Sequence, residues 1–221
     1  MGQNEEEMKK AEGMSLRRLV GYYCYLLLVW GFFRLLVKFP DLIEELWLKP
    51  LIWLLPLLWI WVGEKKRIRF FSGSMKTALV WGFGLGVLYT LVALAAGVGK
   101  YGSLSEMKVG GDLEGWVDVV GIGLATAITE ELVFSGYVFQ RMRRMVKSLW
   151  VAMGITAVMF AVIHVPISLF VYKYSAPEMV GFLGLVLVVA LGNYWIMART
   201  KNVVAPILSH WLWGVAIFLF G

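Results

Sequence analysis

The chain is 221 residues long, 60% apolar and only 16% charged, with 11 Trp, 13 Phe and 9 Tyr. An average soluble domain is about 45–50% apolar and about 25% charged. This composition excludes a disordered chain, and a soluble domain of this size has too little interior to hide so much apolar surface. The net charge of +6 falls in short clusters between apolar runs, the pattern of membrane loops, so lipid is the expected partner and nucleic acid is not.

A membrane-spanning helix needs about 20 mostly apolar residues. The polar segment Met1–Ser15 comes first, without a short apolar run ending in a small-residue cleavage site, so the apolar run after it reads as a retained helix. Seven candidate spans then follow, at about Leu16–Val37, Leu46–Val62, Ala78–Val98, Trp116–Gln140, Leu149–Tyr172, Met179–Ala198 and Val203–Phe220. The second is short and holds Pro56, which predicts a kinked or partly interfacial helix. The expected fold is all-α: a polytopic bundle of about seven transmembrane helices, one domain over residues 16–221. The single cysteine, Cys24, excludes an intramolecular disulfide.

Fifteen basic residues fall in the segments on one side of this arrangement. Five, Lys38, Lys49, Lys100, Lys108 and Lys173, fall on the other, and Arg34 lies inside the first run. The positive-inside rule then predicts a plasma-membrane protein with a cytosolic N-terminus and an extracytosolic C-terminus.

An ionisable residue at membrane depth is costly, and by default marks function. The candidates are Arg34, Asp118, Glu130, Glu131, His164 and His210, with neutral Asn193. Arg34 and Asp118 lie near span ends, where snorkelling suffices. Asn193 reads as an interhelical hydrogen-bond residue. At 1.5 Å per residue, Glu130 lies about 16 Å below Arg141, His210 about 13 Å beyond Lys201 and His164 about 22 Å beyond Leu149. An acid and two imidazoles on three helices can activate a water and stabilise an oxyanion, or can simply tie the bundle together. Glu130 and Glu131 point about 100° apart on a helix, which predicts that they face different partners. Zinc is weighed as well: two His and a Glu can form an open site, but no H-E-x-x-H occurs and no Cys adjoins these residues, so no cofactor is expected.

Three stretches carry a resemblance: Glu130-Glu131 followed by Ser135-Gly136, Phe160-x-x-x-His164 with Val165-Pro166, and Ala205-Pro206-Ile207-Leu208-Ser209-His210. In order and spacing they resemble the CPBP family, the CAAX-protease and bacteriocin-processing membrane proteins also called Abi, over about Gly121–Gly214, with the motif-bearing core at about 116–220. The family carries Glu-Glu-x-x-x-Arg, Phe-x-x-x-His and His-x-x-x-Asn. Ser135 stands where it has Arg, and Gly214 where it has Asn.

The resemblance implies an intramembrane endopeptidase acting on a membrane-embedded or prenylated peptide. Glu130 would be the general base, with His164 and His210 sharing the water and the oxyanion. Glu131 would orient, Phe160 would pack against His164, and Asn193 would support. The two substitutions also suit a catalytically silent relative, acting as a scaffold, immunity protein or chaperone. A proton-relaying transporter is the third class, but no inverted repeat is visible.

Overall fold

The computed structural model describes residues 2–37, 39–64, 68–101 and 113–220. The side chains of residues 2–15, 34, 64, 97, 100, 101, 113, 114, 117, 118 and 220 lie outside that description. Arg34 and Asp118 are therefore outside it, as are Lys9, Lys10, Lys38, Lys65, Lys66, Arg67, Lys100 and Lys108 from the charge count.

The described chain is helical throughout its regular elements: α1 Gly2–Leu36, α2 Asp41–Ile43, a π-helical turn Glu44–Leu48, α3 Lys49–Glu64, α4 Met75–Tyr101, α5 Leu113–Glu131, a second π-helical stretch Leu132–Val138, α6 Phe139–Met145, α7 Leu149–Ile163, α8 Val165–Phe170, α9 Ala176–Thr200 and α10 Val204–Phe220. Among the described residues five stretches are long and apolar enough to cross a membrane: Asp41–Gly63, Met75–Ala96, Val119–Met145, Leu149–Phe170 and Ala176–Thr200. Val204–Leu219 is a shorter apolar helix, and the first predicted run lies in α1 up to Leu36. The spans leave large apolar side chains exposed, among them Trp59, Val80, Leu91, Val158 and Val188. Such surface is tolerable only against lipid. The chain is a polytopic, all-helical membrane protein.

The second span is longer than its apolar run. It begins at Asp41, not near Leu46, because Glu44, Glu45 and Lys49 are taken into the helix. Pro56 lies inside α3, which continues to Glu64.

The chain divides into two compact units. One comprises Met1–Lys38, Leu51–Ile68 and Tyr137–Leu191. In it, phenols from α1 reach the carbonyls of neighbouring helices: Tyr22 Oη donates to Trp53 O (2.6 Å) and Tyr23 Oη to Met159 O (2.9 Å). Trp30 packs edge-on against Trp53, and Tyr22 against Tyr137. Burying a phenol costs little once its hydroxyl has a partner.

The other unit comprises Phe39–Pro50, Arg69–Gly136 and Gly192–Gly221. Its main contact is α4 against α10, and small residues allow it. A methyl group placed at Gly82 would come within 2.7 Å of Ala205 O, so only glycine lets the two backbones approach this closely. Ala78 of α4 and Ala205 of α10 form a fully buried cluster with Ile196 of α9. Residues 70–73 pair with the α9–α10 turn: Val203 N donates to Phe70 O, and Ser72 N and Gly73 N to Lys201 O. Asn202 Oδ1 then accepts from Val204 N at the start of α10 (3.0 Å), satisfying one of the donors a helix N-terminus leaves open.

Candidate active site

Two helices of the second unit carry acids at matching positions. The π turn Glu44–Leu48 holds Glu45, and Lys49 follows it at the start of α3. Glu130 and Glu131 end α5, immediately before the π-helical stretch Leu132–Val138. π-Helical turns displace side chains from the regular helical rotation and recur at functional sites.

Glu131 is the hub of a hydrogen-bond network. Its Oε1 accepts from Asn193 Nδ2 and from His210 Nδ1, each at 2.8 Å, and its Oε2 accepts from Ser135 Oγ one turn onward. Asn193 is fixed in turn, because its Oδ1 accepts from Ser209 Oγ (2.7 Å). Glu131, Ser135, Asn193 and Ser209 are all buried. Three donors onto one buried carboxylate fix its direction, which suits an orienting group.

Glu130 is held differently. Its Oε1 lies 2.7 Å from Lys49 Nζ, and its Oε2 lies 3.7 Å from His210 Nε2. Lys49 Nζ also donates to Glu45 Oε2 (2.7 Å), and the same oxygen accepts from Thr126 Oγ1 (2.7 Å). Lys49 is 3% exposed and Glu130 5%, so this is a buried ion pair. Removing one partner of such a pair costs about 3–5 kcal/mol, because an uncompensated charge stays behind.

Two sequence expectations change here. Lys49, counted among loop lysines on the extracytosolic side, is a buried residue of a span-length helix. Glu130 and Glu131, expected to face different partners, both face His210. An imidazole has ring nitrogens on opposite edges, so one ring can meet two carboxylates that diverge by about a quarter turn. Because Nδ1 points at a carboxylate oxygen, which only accepts, Nδ1 carries the proton and Nε2 is the basic nitrogen of the neutral ring.

The substituted family positions are now explicable. Ser135 lies one turn after Glu131, as its spacing predicts, and donates to it. At Gly214 a methyl group would meet nothing within 4 Å. Asn193 brings an amide to Glu131 from α9.

His164 belongs to the first unit. It caps α7 ahead of Val165-Pro166. Its Nδ1 lies 2.7 Å from Phe160 O, and the Phe160 ring packs edge-on against the imidazole with centroids 4.6 Å apart. Phe160 thus meets His164 both through its ring and through its carbonyl. That contact puts the proton on Nδ1, the same tautomer as His210.

Glu45, Lys49, Thr126 and Ser209 are the network members that sequence reasoning missed. The available signal was Glu45 and Lys49, spaced i, i+4 at the edge of an apolar run. Among the described residues no group of three or more His, Cys, Asp or Glu is placed to hold a metal ion.

Among the described residues, the second unit of this polytopic membrane protein holds a buried Glu–Lys–His network. Residues 112–216 match the family model described as type II CAAX prenyl endopeptidase Rce1-like. That match is in keeping with the CPBP resemblance of the motifs. No curated protein and no solved structure matches the chain.

Proposed function

We propose that the protein is an intramembrane endopeptidase that hydrolyses a peptide bond in a membrane-embedded or prenylated peptide, with Glu130 as general base. One observation carries the reading: Glu130 Oε2 and His210 Nε2 are 3.7 Å apart, so a single water can lie within hydrogen-bond distance of both. Glu130 takes a proton from that water as its oxygen bonds to the peptide carbonyl carbon. The carbonyl oxygen becomes the oxyanion. The C–N bond then breaks, and the proton goes to the leaving amine. His210, aimed by Glu131, holds the water. His164, fixed by Phe160, is assigned the oxyanion on the family motif.

Asn193 and Lys49 bring an amide and a cation to the acid pair. This favours an active enzyme over a silent scaffold, despite Ser135 and Gly214. We read the centre as a proton-transfer site working without a metal, with the ammonium of Lys49 on Glu130 Oε1. Purified protein is therefore expected to cleave members of a panel of prenylated and membrane-anchored peptides equally well with and without a chelator. Failure to cleave any of them sinks the reading, and loss of cleavage on chelation makes zinc the working group.

We also assign the N-terminus to the cytosol and the C-terminus to the far side of the plasma membrane. With Lys49 removed from the loop count, the bias of basic residues toward one side increases. A reporter fused after Arg144 should read as cytosolic, and one fused after Gly221 as extracytosolic. A cytosolic reporter at Gly221 would mean an even number of spans.

A further inference from the structure

We propose that Lys49 is a positioning residue for the proteolytic centre, supplying from a separate helix the buried positive charge that position 135 lacks. The inference rests on Glu130 being the base. Lys49 Nζ makes two contacts of 2.7 Å, to Glu45 Oε2 and to Glu130 Oε1. Glu45 is itself held by Thr126, one turn before Glu130 on α5. Thus α5 grips the Glu45–Lys49 pair at two points on one face, Thr126 through the acid and Glu130 through the amine. The lysine is long and flexible in isolation, but here both of its acceptors are fixed. Its charge therefore sits at one place, on the Glu130 oxygen other than the one near His210. Holding Oε1 leaves Oε2 aimed at His210 Nε2, the geometry that activating a shared water requires. A lysine is rarely retained at 3% exposure unless it is paired, and replacing such a pair by apolar groups is often harmless to stability. Its place against the proposed base gives a reason for keeping it.

The test is Lys49→Gln, which keeps hydrogen-bonding capacity and removes the charge, beside Lys49→Arg, which keeps the charge. Partners that orient reacting groups through another ligand typically contribute about 10–100-fold to activity. Lys49→Gln should therefore lower kcat about 10–100-fold with KM within about twofold, the signature of an interaction made in the transition state. Lys49→Arg should recover most of the rate. A glutamine variant with wild-type kcat, a loss confined to KM, or an arginine variant as slow as the glutamine one would overturn the proposal. If Lys49→Gln is recovered only unfolded, the double variant Lys49→Gln with Glu130→Gln decides. Recovered folding shows that the stranded Glu130 charge was the fault and supports the pairing. Continued unfolding makes Lys49 a structural residue whatever Glu130 does, and overturns the assignment. A wild type that cleaves nothing instead defeats the endopeptidase reading itself, so the two failures are distinct.

Discussion

Glu130→Gln is expected to lower the rate of peptide cleavage by about 10²–10⁴, the usual contribution of a positioned general base. The amide has nearly the shape of the carboxylate, but it cannot take a proton from water. Its oxygen can still accept from Lys49. Lys49 in turn keeps Glu45 at 2.7 Å, so its charge is not stranded, and thermal unfolding should stay near wild type. Single-turnover cleavage together with a melting curve separates the alternatives. Retained cleavage rejects Glu130 as the base. If Glu130→Gln and Glu130→Ala instead lose equal, large amounts of thermal stability, the acid pair is a structural tie between helices.

Ser135→Arg is expected to destabilise the protein by about 3–5 kcal/mol, the cost of a buried charge that is incompletely paired. Position 135 is fully buried, and the substitution frees only Glu131 Oε2, because Oε1 still accepts from Asn193 and His210. An arginine there can pair through that one oxygen, but its remaining donors must then be accommodated at a position with no exposure. Gly214→Asn should be tolerated, because the space around a side chain at 214 is open. The double variant should therefore express poorly and should not exceed wild-type activity. A stable double variant that cleaves faster than wild type would show that the two positions are losses the chain has not repaired.

Much of this arrangement was legible in the sequence, and the illegible part has physical causes. Apolar runs mark spans because lipid tolerates little else, so the segments from Ala78 onward were recovered within a few residues. Glu130, Glu131, His164 and His210 stood out because a charge or imidazole in such a run demands an explanation. Lys49 did not. It lies at the edge of its apolar run and precedes Pro50, and a lysine before a proline reads as a loop. Only a partner from another helix shows that it is buried, and periodicity along one helix carries no information about partners. The divergence of Glu130 and Glu131 is an angle and not a separation of partners. An imidazole has two functional edges, so two diverging carboxylates can share one ring.

The close approach of α4 to α10 has a consequence for how the molecule is made. Gly82 meets Ala205, more than a hundred residues later in the chain. At about 5–20 residues per second, the ribosome needs on the order of 6–25 s to deliver the second partner after the first. The acid pair shares this delay unequally. Lys49 is synthesised before Glu130, so that ion pair can close as soon as α5 emerges. Glu131 must wait 62 residues for Asn193 and 79 for His210. During that interval the nascent chain holds Glu131 without its amide and its imidazole, so the buried network is completed only when the last helix has been made.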